Sequence, residues 1–232
     1  GAIATVQSIS AGITDSLRSD GRAILGGDVA ARILYREATP EQMQWLAARG
    51  QVLTTSEMRA MARDPADAGH SALVELKSVG TAYPLYGDFQ IQGPDGQPQT
   101  VDIQQMLAEK EGRFGAVIED TLATRLDLKP GDDVGIGELT VQVRGIIASE
   151  PDKAGSGSFT LGPRMMVSEA ALKQTELIQQ GSLITWSYQV KLHDGVTVEQ
   201  FRDQAKAEMA DANWRLRDYT NASPQLSRFI DR

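Results

Sequence analysis

The feature that most constrains the fold is a short pattern that occurs near both ends of the chain. Residues 39–42 (TPEQ) and 197–200 (TVEQ) share the order Thr-x-Glu-Gln. A threonine followed three residues later by glutamine is the capping box that begins many helices. Each tetrapeptide stands between two short stretches in which apolar and polar residues alternate, which is typical of strands. The sequence therefore predicts two strand–helix–strand units.

The strands of these two units are predicted from their alternation. In the first unit they cover residues 28–34 and 51–55, and in the second they cover 188–192 and 214–219. Two βαβ units most naturally share one sheet, with right-handed crossovers and both helices on the same face. We therefore predict an α+β fold built on a ferredoxin-like split sheet.

The residues between the two units predict further strands. Residues 72–79 (ALVELKSV) alternate and are predicted to form a central strand, whereas residues 56–69 are predicted to be an irregular connector that ends in a loop. The loop residues 93–98 (GPDGQP) precede a series of shorter elements, which include a hairpin over residues 133–147. We predict that residues 89–183 form a compact, strand-rich inserted lobe.

Both ends of the chain predict amphipathic helices. Apolar residues recur at spacings of three and four up to Leu17, and Asp20 and Gly21 are expected to stop that helix. A second helix is predicted to begin at Ser223 and Pro224. Two amphipathic helices packed on a soluble core would explain these patterns. Because the second pattern is cut short, we favour the alternative that each segment is the outer end of a longer membrane helix.

Composition excludes several classes of function. The chain carries 23 Lys and Arg against 31 Asp and Glu, a net charge of −8, and it has no basic stretch with interleaved aromatic residues. A nucleic-acid partner is therefore not expected. The absence of cysteine excludes disulfides, thiolate metal sites and a cysteine nucleophile.

Four segments together resemble one protein family. They are residues 25–29 (LGGDV), 76–87 (LKSVGTAYPLYG), 126–132 (LDLKPGD) and 159–167 (FTLGPRMMV). The chain resembles, over nearly its whole length, the first extracytoplasmic domain of FtsX-like ABC transporter permeases related to MacB. Within that group it is most similar to permeases associated with lysophospholipase or arylesterase systems.

The resemblance implies a two-lobed periplasmic core domain of a bacterial inner-membrane protein. A Porter-like lobe would comprise residues 22–88 and 184–222, and an inserted Sabre-like lobe would comprise residues 89–183. Residues 1–21 would form the N-terminal stalk helix, and residues 223–232 would begin the second stalk helix.

The resemblance also implies a function without catalysis. ATP hydrolysis in a separate cytoplasmic subunit would move the membrane helices, and the periplasmic domain would convert that movement into work on lipid-like or hydrophobic substrates. The implied partners are the ATPase, a second periplasmic core domain and a periplasmic esterase or thioesterase. No catalytic residue, cofactor or metal is expected.

A periplasmic hydrolase is the alternative that names particular residues. Ser71 lies in Gly-His-Ser-Ala-Leu, which resembles the Gly-x-Ser-x-Gly nucleophile elbow, and His193 would be its base. However, Leu73 replaces the second glycine, and a predicted strand follows the serine where the elbow needs a helix. A module that binds a small hydrophobic ligand in a cleft between lobes is the third hypothesis.

Metal and nucleotide sites find little support in the sequence. Asp64 and Asp67 lack the regular acidic spacing of a calcium loop, and the two histidines form no HxxxH or HExxH motif. Gly155, Gly157 and Gly162 lack the strand-to-helix setting of a phosphate-binding loop. They predict a flexible loop that could meet a partner.

Overall fold

The computed structural model describes residues 18, 20–155 and 161–222. The strands are β1 (Val29–Leu34), β2 (Gly50–Asp64), β3 (Asp67–Val79), β4 (Gln90–Gln92), β5 (Pro98–Thr100), β6 (Gly115–Ile118), β7 (Asp133–Ile136), β8 (Leu139–Ser149), β9 (Arg164–Ser168), β10 (Ile184–Leu192) and β11 (Arg215–Asp218). The helices are α1 (Pro40–Ala47), α2 (Ile103–Leu107), α3 (Asp120–Leu126), α4 (Glu169–Gln174) and α5 (Val198–Glu208). The helices are short and few beside the strands, so the chain is an α+β protein.

The two strand–helix–strand units share one sheet, as predicted. The strands lie in the order β11-β1-β10-β2, and each neighbouring pair is antiparallel. The two strands of each unit are therefore parallel to one another, with one strand of the other unit between them. This interleaving is the ferredoxin-like arrangement.

Both capping boxes form, and both helices cover the same face of the sheet. The Thr39 and Thr197 side chains accept from the backbone N–H groups of Gln42 and Gln200, and the glutamine side chains accept from the threonine N–H groups. Leu46 of α1 and Phe201 of α5 belong to one buried cluster with the core-facing residues of β1 and β10. The centres of the Trp45 and Phe201 rings also lie 5.2 Å apart, in an edge-to-face arrangement.

The segment predicted to be an irregular connector is instead a long hairpin. β2 continues to Asp64 and pairs with β3, which begins at Asp67, and the register shifts between Arg63, opposite Ser71, and Asp64, opposite Asp67. The prediction was wrong because residues 56–64 (SEMRAMARD) include two Ala, one Glu and one Asp, which are depleted in strands, and have no β-branched or aromatic residue. Pairing along the whole hairpin outweighs that local preference.

The outer part of this hairpin takes part in a ring of six strands. The ring runs β2-β3-β9-β6-β8-β7 and closes where Ala62 and Arg63 of β2 pair with Ile136 and Gly135 of β7. Its interior is filled by small and branched apolar side chains that continue the core beneath α1 and α5. On the opposite face a second cluster forms around Phe89, Ile103 and Leu107, where α2 packs.

The two ends of the described chain meet at one end of the sheet. A helix over residues 20–25 precedes β1 and ends at Gly26, whose φ of +80° is the left-handed conformation that commonly follows a helix. The predicted stop at Asp20 and Gly21 is therefore wrong, because the backbone ladder continues to a bond from Gly26 N–H to Arg22 C=O. The stalk helices predicted within residues 1–17 and 223–232 lie outside the described residues.

Candidate functional site: the junction of the chain ends

Asp28 is the centre of a junction that joins four parts of the fold. Its Oδ1 accepts from Arg22 Nε at 2.8 Å and from the Tyr86 hydroxyl at 2.9 Å, and its Oδ2 accepts from the Leu192 N–H at 2.8 Å. Its backbone carbonyl accepts from the Tyr219 N–H at 3.0 Å. One buried residue thus connects the first helix, the connector after β3, the end of β10 and the residues after β11.

Apolar and ring contacts hold the same ends together. Leu25, Ala30 and Ala222 form a small buried cluster that Ile24 and Tyr219 extend. The Arg22 guanidinium lies 4.2 Å from the centre of the Tyr219 ring, which places a cation over its π face. The residues that lead into and out of the described chain are therefore packed on one another.

The junction also reaches the connector that leads to the strand-rich part of the molecule. At Gly87 an added Cβ would lie 2.8 Å from Cβ of Pro151 and 3.6 Å from Cβ of Ala23, so glycine is needed for this close approach. Burial raises the pKa of Tyr86, and the neighbouring Asp28 carboxylate raises it further, to about 12. Tyr86 therefore stays a hydrogen-bond donor to Asp28 at neutral pH.

A chain of buried ion pairs continues from this region across β3 and β9. Lys77 Nζ lies 2.9 Å from Glu150 and 2.7 Å from Asp152, and Arg164 lies 2.9 Å from Glu150. The members of this buried ion network are Glu57, Lys77, Tyr83, Glu150, Asp152 and Arg164. It fixes the segment at residues 150–152 against the central strands.

Within the buried ion network, opposite charges offset the cost of burying Glu150 and Lys77. Burial by itself would raise the pKa of Glu150, but the charges and hydrogen bonds of Lys77 and Arg164 lower it to about 2. Burial lowers the pKa of Lys77, but Asp152 and Glu150 outweigh it and raise that pKa overall. Removing one member would leave the others as uncompensated buried charges, which is strongly destabilising.

Comparison with known proteins decides the family. The sequence profile described as "MacB-like periplasmic core domain" matches residues 1–208. The chain belongs to this family. It is therefore an extracytoplasmic domain of the kind found in ABC transporter permeases. Within the described residues, none of the helices combines the length and the apolar character needed to cross a lipid bilayer.

Two known proteins are similar to this periplasmic core domain. It is 30% identical over 184 residues to the uncharacterized ABC transporter permease YbbP of Escherichia coli (strain K12), a match that covers 78% of this chain and 20% of that protein. The chain thus spans about a fifth of that relative's length. The crystal structure of the periplasmic region of MacB from Actinobacillus actinomycetemcomitans has the same fold, with a TM-score of 0.53 and 9% identity, over 90% of this chain and 95% of that one.

The structure keeps Ser71 and His193 of the hydrolase alternative far apart. Ser71 lies within β3 and pairs with Arg63, whereas His193 follows Leu192, which pairs with Gly50. These two positions on β2 are separated by about 40 Å along the strand, at roughly 3.3 Å per residue. The two residues therefore cannot act as nucleophile and base within one chain.

The acidic pair considered for calcium has a local structural role in this domain. Asp64 accepts from the Ala66 N–H at 2.9 Å and Asp67 accepts from the Gly69 N–H at 3.1 Å, which are Asx turns at the tip of the β2–β3 hairpin. In the described part of the chain, no three His, Cys, Asp or Glu side chains are grouped so that they could share a metal ion.

Sequence reasoning missed the junction and the buried ion network. Asp28 lies within residues 25–29, one of the segments that carry the family resemblance, but its partners Leu192 and Tyr219 lie 164 and 191 residues away in the sequence. Lys77 did carry a signal, because it stands inside residues 72–79, which are predicted to form a central strand, and a charged side chain that is buried there must find partners. Nothing in the sequence identified those partners as Glu150 and Asp152.

Proposed function

We propose that this periplasmic core domain transmits movement of membrane helices to the periplasm. In this proposal a cytoplasmic ATPase subunit hydrolyses ATP and moves the helices of the permease, and the domain converts that displacement into mechanical work. The observation that carries the proposal is the junction, where Asp28 binds both ends of the described chain and the connector that contains Tyr86. A displacement at either end would reach the sheet through these contacts.

The stalk helices over residues 1–21 and 223–232 are part of the proposal. Two membrane helices can act on the domain together only if they join it on the same side. The packing of Leu25 against Ala222 supports this arrangement. A helix holds its length under load, whereas a flexible linker would absorb the motion.

The division into two lobes is also proposed. Residues 22–88 and 184–222 would form the Porter-like lobe that receives the movement, and residues 89–183 would form the Sabre-like lobe that passes it on. The buried ion network supports this proposal because it links the two lobes. Lys77 belongs to the Porter-like lobe, whereas Glu150 and Arg164 belong to the inserted lobe.

The proposed substrates are lipid-like or otherwise hydrophobic molecules. The support is the resemblance of segments such as residues 76–87 and 159–167 to permeases associated with lysophospholipase or arylesterase systems. On the same ground we propose a periplasmic esterase or thioesterase and a second periplasmic core domain as partners. Pull-down of periplasmic proteins with the complete permease tests this, and an esterase absent from the captured proteins would contradict it.

We further propose that the domain itself is not catalytic. The separation of Ser71 from His193 along β2 supports this view. Ser71→Ala is expected to leave any ester-hydrolysing activity of the purified chain at the background rate of the unaltered chain. Turnover that disappears in this variant would contradict the proposal.

A flexible insertion tests mechanical transmission. In the complete permease with its ATPase, a Gly-Ser insertion after Leu17 is expected to abolish ATP-dependent release of a fluorescent phospholipid from proteoliposomes while ATP hydrolysis continues. The same insertion at the exposed loop containing Gly96, where an added Cβ meets no neighbour within 4 Å, is the matched control. Unchanged lipid release after the Leu17 insertion would contradict the proposal.

A further inference from the structure

The open face of the ferredoxin-like sheet carries a cavity of about 630 Å³. It lies on the face opposite α1 and α5, because its floor residues alternate with the core-facing ones, as Ser187 alternates with Trp186 and Tyr188. Leu25 at the end of the first helix and Asp152 after β8 also line it. The cavity therefore lies where segments of both proposed lobes meet.

The charged groups at one side of the cavity floor are already paired with one another. Glu57 accepts from Arg164 at 2.9 Å. Asp152 accepts from Lys77 and from the Tyr83 hydroxyl, each at 2.7 Å. A charged ligand would have to compete with these pairs, whereas a neutral ligand leaves them intact.

The arginines of the cavity fit the same interpretation. Arg32 of β1 already interacts within the chain, and it also lies in the field of Glu57. Arg215, opposite Arg32 on β11, is exposed to solvent at the edge of the sheet. The floor of the cavity therefore does not select a ligand by its charge.

Neutral hydrogen-bonding side chains form the centre of the floor. Thr185, Ser187 and Gln189 stand at alternate positions of β10 and so share this face. Thr55 of β2 lies opposite Ser187, and its hydroxyl is within hydrogen-bond distance of both polar atoms of the Gln189 amide, at 3.1 and 3.3 Å. Within the described part of the chain, the Thr185 and Ser187 hydroxyls bond to no other protein group, so each can both donate to and accept from a ligand.

The wall beside β1 and β11 adds an amide and apolar surface. Among the described residues the Asn213 amide also has no protein partner. Next to it stands the half-buried Trp214, whose ring centre lies 5.9 Å from that of Trp45. Leu34 is 51% exposed and lines the same cavity. Hydroxyl, amide and apolar groups therefore lie side by side.

We propose that this cavity binds a neutral molecule with several hydroxyl groups, a sugar or a sugar-like head group, through Thr185, Ser187 and Asn213. A sugar presents hydroxyls that donate and accept, and these suit the same groups on the protein. Its C–H surface suits the Trp214 ring and Leu34. A volume of about 630 Å³ falls within the range of small-molecule sites. The inference does not depend on mechanical transmission.

Calorimetric titration of the full chain tests the proposal with defined probes. Glucose, N-acetylglucosamine and maltose supply free sugars, and octyl glucoside below its micelle concentration supplies a sugar with an apolar tail. Octanoate and octyltrimethylammonium carry the same length of tail without the sugar. At least one neutral probe is expected to bind at a single site.

Variants of the floor and wall locate the binding. Ser187→Ala and Asn213→Gly each remove a hydrogen-bonding group, and glycine accepts the φ of +54° at position 213, so each is expected to weaken binding about fivefold. Ser71→Ala is the matched control, because it removes an exposed serine of β3 that lies about 20 Å along the strand from Lys77. It should bind like the unaltered chain.

Ser187→Phe places a large side chain in the cavity and is expected to abolish binding. Its thermal midpoint without ligand is expected to stay near that of the unaltered chain, because the side chain points away from the core beneath α1 and α5. The bound probe should raise the midpoint of the unaltered chain but not that of Ser187→Phe. If Ser187→Phe does not fold, the comparison of Ser187→Ala with Ser71→Ala decides.

The pattern across the probes identifies what is recognised. Binding of a free sugar would show that the hydroxyl-bearing group suffices, and binding of octyl glucoside alone would show that head and tail are both needed; either supports the proposal. No binding of any neutral probe at millimolar concentration would overturn it. Equal binding of octanoate or octyltrimethylammonium would overturn it too, as would unweakened binding in a folded Ser187→Phe or equal weakening by Ser71→Ala.

Discussion

At the scale of single residues, Asp28 carries more of the junction than any neighbour described. Asp28→Asn keeps the size of the side chain but replaces the Oδ2 acceptor of the Leu192 N–H with a donor, and it removes the charge that faces Arg22. We expect the free energy of unfolding to fall by about 2 kcal/mol. Urea denaturation of the full chain measures it, with the exposed Asp211→Asn as control. Equal midpoints for the two variants would contradict this role of Asp28.

The pH dependence of stability tests the buried ion network. Because the pKa of Glu150 is lowered to about 2, its contribution is complete above about pH 5 and is lost as the pH falls toward that value. The contribution is on the order of 3 kcal/mol.

Glu150→Gln isolates that contribution from those of other carboxylates. The variant is expected to be less stable at pH 7 and to lose less stability than the unaltered chain between about pH 5 and pH 2. Glu109→Gln changes an exposed glutamate and should follow the unaltered chain at every pH. The measurement is a series of denaturation curves across this range, and parallel profiles for all three proteins would show that Glu150 is not coupled to folding.

At the scale of elements, the repeated capping boxes make matched predictions. Thr39→Ala and Thr197→Ala each remove the acceptor of a backbone N–H at a helix start, which is expected to lower the free energy of unfolding by about 1 kcal/mol. Thr81→Ala changes an exposed threonine in a turn and should have almost no effect. Chemical denaturation compares the three variants. A loss for Thr81→Ala as large as for the caps would contradict the assignment.

The elements that sequence reasoning found are those whose signals are local. A capping box fixes where α1 and α5 begin, and the alternation within residues 28–34 and 188–192 distinguishes the core-facing positions. The outer half of the β2–β3 hairpin was missed because its stability comes from pairing and from the ring that β7 closes. The strand propensity of a segment does not reveal whether it pairs with a strand that is distant in the sequence.

The candidate site was less predictable than the fold for the same reason. Asp28, Tyr86 and Tyr219 meet only after the sheet has assembled, and no spacing in the sequence links them. Conversely, the partial nucleophile elbow around Ser71 was a local sequence pattern, and its expected base, His193, does not lie near it in the structure. A short motif can identify a cap, but a junction between distant segments requires the topology.

At the scale of the whole molecule, the central claim is that the hydrogen bonds of the junction change with the nucleotide state of the ATPase. The Leu192 and Tyr219 N–H groups both donate to Asp28, so their hydrogen exchange reports on whether the junction is closed. The Ala205 N–H lies within the helical ladder of α5, away from Asp28, and serves as an internal control.

Hydrogen exchange of the complete permease with its ATPase in lipid nanodiscs tests this claim most directly. Mechanical transmission predicts that peptides containing Leu192 and Tyr219 exchange at different rates in the nucleotide-free and vanadate-trapped states, whereas the peptide containing Ala205 does not change. It also predicts that the difference disappears after a Gly-Ser insertion following Leu17, although ATP hydrolysis continues. Identical exchange at the junction in both nucleotide states, or a difference that survives the insertion, would contradict mechanical transmission through these residues.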